Sequence, residues 1–175
     1  MRLFFGLAVS DEVGAAAAAL IERLRACGAE YRWVKPKGLH LTLNFLGETP
    51  LERLPALEEV LRRAADRPSF TVTFGGIGAF DSLEDPRAVW LGIEEGAEPL
   101  GALAAACGPQ DRPFCPHVTL GRRRGLGKRE AMKAALRQVP PLKLAQRVDR
   151  LLLFESRSSP EGSLYIPIKE APLAK

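Results

Sequence analysis

Two short phrases of this sequence carry the same chemistry: His40-Leu41-Thr42-Leu43 and His117-Val118-Thr119-Leu120. Between them they hold both histidines of the chain. Imidazole is the side chain whose ordinary pKa lies closest to neutrality, so it can give or take a proton under mild conditions. Threonine adds a hydroxyl that can donate to an anion. One such phrase would mean little, because a lone strand histidine is more often a hydrogen-bonded structural residue. Its recurrence between apolar neighbours points to a pair that works together.

Apolar residues at every second position around each histidine read as strand. In the first copy Leu39, Leu41, Leu43 and Phe45 point one way while His40, Thr42 and Asn44 point the other. In the second, Val118 and Leu120 oppose His117 and Thr119. Side chains alternate across a strand, so each His shares a face with its Thr. Two such units brought face to face would hold one group between two imidazoles and two hydroxyls. That suits hydrolysis or transfer at a phosphodiester. One imidazole takes the proton of an attacking water and the other protonates the departing sugar oxygen, each contribution worth about 10²–10⁴-fold. The threonines steady the non-bridging oxygens as charge builds on them.

No metal or cofactor is expected. A structural zinc site needs about four ligands, neither histidine has a partner at ligand spacing, and Cys27, Cys107 and Cys115 are scattered. Cys115 shares the parity of His117, which raises a thiol–imidazole nucleophile; its flanking prolines and the lack of a nearby orienting acid weigh against it.

Around the histidines, the chain supplies elements able to position them. At 175 residues and 46% hydrophobic it can bury a substantial core. A net charge of +4 and a pI near 9.2 fit a polyanionic substrate. The odd, unpatterned cysteines suit a reducing cytosol, Met1–Phe5 lacks a signal-peptide layout, and the run Ala15–Ala19 is too short to span a bilayer. A cytoplasmic monomer without membrane contact is expected. Leu3–Val9 reads as a buried strand and Asp11–Cys27 as a helix capped from Ser10 or Asp11 and stopped by Gly28. Tyr31–Val34 is extended, and Pro36–Gly38 turns into the first histidine strand, which Gly47 closes. Thr49-Pro50-Leu51-Glu52 resembles a capping box, although Pro55 also asks for a first turn and moves the regular helix to Leu54–Ala65. Ser69–Ile77 is a strand whose end is marked by Gly75-Gly76-Ile77-Gly78, a superficial phosphate-loop likeness with no Lys-Ser/Thr after it.

The second half repeats the order. Ala88–Ile93 is a strand, Pro99–Cys107 a helix, His117–Gly121 the second histidine strand, Lys128–Val139 a helix and Leu142–Phe154 one or two strands. Asp81–Pro86 and Ser156–Gly162 read as polar loops, with Glu161-Gly162 turning a hairpin into Ser163–Ile168. Strand, helix, His-strand, helix, strand thus occurs twice, over approximate repeats 1–80 and 87–168. The expected fold class is α+β: one bilobal domain over residues 1–175, with two pseudo-symmetric lobes of antiparallel sheet, helices outside, and a central cleft carrying both histidine strands.

With these residues in view, the stretch Arg32-Trp33-Val34-Lys35-Pro36-Lys37-Gly38-Leu39-His40-Leu41-Thr42-Leu43-Asn44-Phe45-Leu46-Gly47-Glu48 resembles the first signature of the two-histidine (2H) phosphoesterases. Phe114-Cys115-Pro116-His117-Val118-Thr119-Leu120-Gly121-Arg122 is similar to the second. The likeness is strongest to the LigT-like RNA 2′,3′-cyclic phosphodiesterases, also called 2′-5′ RNA ligases. It extends to the N-terminal strand and helix, Phe80, Val89–Gly92 and Leu153–Leu164. The resemblance implies metal-independent hydrolysis of RNA 2′,3′-cyclic phosphate ends to a 2′-phosphomonoester, with weak 2′-5′ ligation as the reverse reaction. It implies that His40 protonates the leaving 3′ oxygen, that His117 activates water, and that Thr42 and Thr119 contact the phosphate. The partner would be RNA or a nucleotide with a cyclic phosphate. Alternatives are a phosphodiesterase of a small nucleotide, such as ADP-ribose cyclic phosphate or a 2′-5′ oligoadenylate, and a non-catalytic RNA-end-binding module.

Further candidates stay open on the sequence. Arg122 matches an arginine that often follows the second motif and offers a fork for an anion. Strict alternation places it on the face of Val118, away from His117, unless the strand ends or bulges at Gly121; Arg123 is the rival with the histidine's parity. The cluster Arg122–Arg124 with Lys128 and Arg129 reads as solvated surface or an RNA grip. Trp33 and Phe45 could stack a base, but parity assigns Phe45 to the core.

Overall fold

A computed structural model describes residues 1–160 and 162–175. The elements run β1 (Arg2–Ala8), α1 (Asp11–Arg25), β2 (Tyr31–Trp33), β3 (His40–Glu48), α2 (Leu54–Ala65), β4 (Phe70–Asp81), β5 (Pro86–Glu95), α3 (Ala97–Ala106), β6 (His117–Arg123), α4 (Arg129–Arg137), β7 (Leu144–Val148), β8 (Arg150–Ser159) and β9 (Gly162–Pro172). Short 3₁₀ turns cover Pro36–Gly38 and Leu51–Arg53. The fold is α+β, as expected.

The strands form one sheet in the order β7-β4-β5-β6-β3-β1-β8-β9, with β2 added to β6. All pairings between named strands are antiparallel. The two histidine strands, β3 and β6, meet at the centre. On one side β3 is followed by β1, β8 and β9; on the other β6 is followed by β5, β4 and β7. These flanks correspond under an approximate two-fold relation, but each borrows a strand. β4, from the first half of the sequence, pairs with β5, and β8, from the second half, pairs with β1.

Helices cover one face of this sheet because their apolar residues recur at helical spacing. Helix α1 buries Val13, Ala17, Leu20, Ile21 and Leu24; α2 buries Leu57, Leu61, Ala64 and Ala65. They pack with α3 and α4 on Leu3, Phe5, Leu41, Leu43, Val118 and Leu120, each at most 2% exposed. Burying each such side chain is worth about 1.5–3 kcal/mol, so the parity of both histidine strands is fixed by this core. His40, Thr42, His117 and Thr119 are left for the opposite, helix-free face. There Phe4, Leu152 and Phe154 form a second small cluster with Tyr165.

Three local expectations are corrected. Thr49 does not build a capping box: its hydroxyl donates to the Gly47 carbonyl at 3.1 Å, and a 3₁₀ turn precedes α2, which starts at Leu54. Gly75–Gly78 does not end its strand; β4 continues to Asp81 and takes up Gly75 and Gly76 in an irregular pairing with β5. Gly78 is required by packing, since the ring of Trp90 lies across it. The polar stretch Ser156–Gly162 is mostly strand, β8 running to Ser159 and β9 from Gly162. Ser156–Ser159 pair with Gly162–Tyr165, so backbone pairing overrides side-chain polarity at this edge. Glu161, expected from the sequence to take part in the hairpin turn, lies outside the described residues.

Candidate active site

Both histidine strands contain the same irregularity. Along β1–β3 the register passes from Phe5↔Asn44 to Gly6↔Thr42, leaving Leu43 as an extra residue. Along β5–β6 it passes from Val89↔Gly121 to Trp90↔Thr119, leaving Leu120 extra. A bulge of one residue resets the alternation. Leu43 and Asn44 are buried in succession, as are Leu120 and Gly121, and the next residue of each strand emerges again on the histidine face. In β6 that residue is Arg122; in β3 it is Phe45.

This settles the parity question. Arg122 lines the same cleft as His117. Arg123 is turned away, 12% exposed, and bonded to Asp85 at 2.6 Å. It also corrects the placement of Phe45, which is not core: it is 54% exposed at the cleft, with the Arg2 guanidinium 5.6 Å from its ring centre. Trp33 lines the cleft as well, lying across Gly121, where a Cβ would come within 2.6 Å of its ring.

The cleft has a volume of about 1040 Å³, and His40, Thr42, His117, Thr119 and Arg122 all line it. Leu41 stands opposite Val118. His40 and Thr42 flank that contact on β3, and His117 and Thr119 flank it on β6, so all four lie around the meeting point of the two strands. Beyond that point β2 replaces β3 beside β6, pairing Tyr31, Arg32 and Trp33 with Arg123, Arg122 and Gly121. The cleft's wall on this side is therefore β2 and the turn after it.

The two imidazoles are held alike. Nδ1 of His40 lies 2.7 Å from the Gly38 carbonyl, and Nδ1 of His117 lies 2.7 Å from the Cys115 carbonyl. A carbonyl only accepts, so Nδ1 carries the hydrogen in both rings and Nε2 is left to take or give a proton. Each ring also rests on aromatic residues from the next two strands outward. His40 meets Phe4 at 4.8 Å and Phe154 at 6.0 Å; His117 meets Phe80 at 4.9 Å and Trp90 at 5.9 Å. Tyr165 adds a third contact to His40 at 4.3 Å. Sequence reasoning missed Tyr165, whose one signal was its place in the terminal hairpin strand.

Burial pushes the pKa of His40 below its ordinary value, against the Gly38 bond that raises it; the charges of His117 and Arg122 depress it further. Burial likewise lowers His117, opposed by the Cys115 bond and assisted by Arg122. Both surroundings favour the neutral imidazole, in a cleft that also holds a fixed cation, Arg122, and the hydroxyls of Thr42 and Thr119. That combination moves protons at an anion. Cys115 is an exposed free thiol that meets His117 through its carbonyl. Among the described residues, no three His, Cys, Asp or Glu side chains gather as a metal site would require, and no helix is long and apolar enough to cross a membrane.

Known proteins share this plan. An RNA 2′,3′-cyclic phosphodiesterase of Thermotoga maritima is 32% identical over 173 residues, covering 94% of this chain and 91% of that protein. A crystal structure of a Thermus thermophilus protein superposes with a TM-score of 0.81 at 29% identity, covering 99% of this chain and 98% of that one. Apo LigT of E. coli gives 0.78 at 28% identity with the same coverage. The profile of the 2′-5′ RNA ligase superfamily matches residues 12–160. With that match over most of its length, the chain belongs to the 2′-5′ RNA ligase superfamily.

Proposed function

We propose that this chain hydrolyses RNA 2′,3′-cyclic phosphate ends to 2′-phosphomonoesters by acid–base catalysis from His40 and His117. The observation that carries this reading is the matched pair of imidazoles. Each has its Nδ1 tied to the carbonyl two residues before it and its Nε2 free, and both line one cleft with two threonines. The base takes a proton from water, the hydroxide oxygen bonds to phosphorus, the P–O3′ bond breaks, and the acid protonates O3′. Thr42, Thr119 and Arg122 hold the non-bridging oxygens and offset their growing charge. The resemblance gives His40 the acid's role and His117 the base's. Phe45, held under Arg2, offers a face on which a base can stack. We further read the chain as a single bilobal domain acting as a monomer in the cytoplasm, where its three free thiols are stable.

The test is turnover of an oligonucleotide ending in a 2′,3′-cyclic phosphate, in EDTA, with the product resolved as 2′- or 3′-phosphate. A 2′-phosphate product supports the reading. Tight binding without turnover identifies an end-binding module instead, and a preference for ADP-ribose cyclic phosphate or 2′-5′ oligoadenylate identifies a small-nucleotide enzyme.

The pH dependence follows from the histidines. One must be neutral and the other protonated, so kcat/KM is bell-shaped, bounded by the two macroscopic pKa values of the free protein. Both imidazoles are depressed below 6.5, so the maximum is expected on the acid side of that value and the alkaline limb begins below it. The sign for stability is consistent: a depressed histidine contributes stability above its unfolded pKa and loses it as pH falls through the folded one. A maximum well above pH 7 would contradict this account.

A further inference from the structure

Arg32 of β2 stands directly opposite Arg122 of β6. Opposed residues of an antiparallel pair share a face, and like charges in that position repel. Both line the cleft and both are exposed there. Nearby arginines have acids: Arg123 meets Asp85 at 2.6 Å and Arg2 meets Glu48 at 3.8 Å. Among the described residues, no carboxylate pairs with Arg32 or Arg122. Such a pair is a cost in the free protein that anions bound at the guanidinium groups would remove, and each fork fits the oxygens of a phosphate.

The two arginines are not equivalent with respect to the histidines. Arg122 shares β6 with His117 and Thr119, whereas Arg32 lies on the neighbouring strand β2. The pair therefore extends from the reacting centre outward along the β2 wall, where Lys37 also lines the cleft. We propose that Arg32 extends the site into a second phosphate subsite: Arg122 stays on the oxygens of the cyclic phosphate, while Arg32 opposite it holds the phosphate on the 5′ oxygen of the terminal nucleotide. This rests on the cyclic phosphodiesterase reading above. It makes a chain end carrying that second phosphate the favoured substrate over a bare nucleoside cyclic phosphate.

Three substrates test it: adenosine 2′,3′-cyclic phosphate, its 5′-phosphorylated form, and the dinucleotide ApA ending in a 2′,3′-cyclic phosphate. In the wild-type protein kcat/KM is expected to be roughly tenfold or more higher for the two that carry a 5′ phosphate, the size of one lost charge-assisted contact. Arg32→Gln should bring that ratio to within about twofold and reduce the salt dependence on the dinucleotide by about one counterion; Arg32→Lys should restore part of both. An equal gain for the 5′-phosphorylated mononucleotide and the dinucleotide places the recognition in the phosphate itself. A gain confined to the dinucleotide assigns it to the diester of a chain; either supports the subsite. Because Arg32→Gln removes a repulsion, its thermal midpoint should equal or exceed that of the wild type. A ratio that survives Arg32→Gln, a wild-type protein indifferent to the second phosphate, or a destabilised variant would each overturn the subsite. Failure of the wild-type protein to turn over any of the three would instead overturn the activity on which it rests.

Discussion

Replacing either His40 or His117 by alanine should lower kcat on a cyclic-phosphate oligonucleotide by about 10²–10⁴-fold. The two losses should not multiply in the double variant, because the groups act in one proton transfer sequence and removing either already disables it. Circular dichroism separates this from unfolding; His40 in particular packs on Phe4 and Tyr165, so its removal also opens space. The division of labour needs a different substrate. Burial depresses both imidazoles, and it is the resemblance that makes His40 the donor. A nitrophenyl phosphodiester expels a stable phenolate that needs no proton. If His40 is the acid, His40→Ala should lose far less on that ester than on RNA, while His117→Ala loses as much on both. The opposite pattern would exchange the roles, and near-normal turnover by either variant would end the paired mechanism.

Gly78→Ala should damage stability and turnover together, from a single methyl group outside the cleft. A Cβ at Gly78 would fall 2.1 Å from Cη2 and 2.3 Å from Cζ2 of Trp90. The indole has little room to withdraw, because the same ring passes 3.0 Å from the Cβ position of Gly92 and rests on Phe80 at 5.3 Å. Overpacking of this kind costs about 1–3 kcal/mol, a fall of roughly 2–4 °C in Tm per kcal/mol for a chain of this size. Trp90 also supports His117, so a displaced ring should misplace the imidazole and lower kcat beyond what the fraction unfolded explains. Gly101→Ala is the control: it lies in α3 with open space at its Cβ and should be neutral or slightly stabilising. Wild-type Tm and kcat in Gly78→Ala would mean that Trp90 does not hold His117.

The strands and helices were legible because their apolar periods are regular. Alternation through Leu39–Leu43 and Val118–Leu120 put the histidines on the open face, and the structure keeps them there. Alternation failed one residue later: Asn44, expected beside His40 and Thr42, is buried, as is Gly121, and Phe45 and Arg122 turn outward in their place. A bulge leaves no mark in the polarity of Leu43-Asn44 or Leu120-Gly121; it shows only in the pairing with β1 and β5. The aromatic supports were equally hidden, since Phe80, Trp90, Phe154 and Tyr165 come from strands distant in sequence whose neighbours are set by the sheet order. The opposition of Arg32 and Arg122 has the same origin: 90 positions apart in the chain, they meet only because β2 takes over the edge of β6.

The borrowed strands β4 and β8 have a consequence for how the molecule reaches its working form. Neither half of the polypeptide can complete its own flank, so a fragment containing one histidine would be left with open strand edges and an uncovered apolar face. Assembly must instead bring Arg2–Gly6 against Leu152–Ser156, nearly the whole length of the chain apart. Such distant closures make for slow acquisition of the native state. They also tie the catalytic pair to global integrity: cutting the backbone between the halves would leave an interlocked complex rather than two separable pieces.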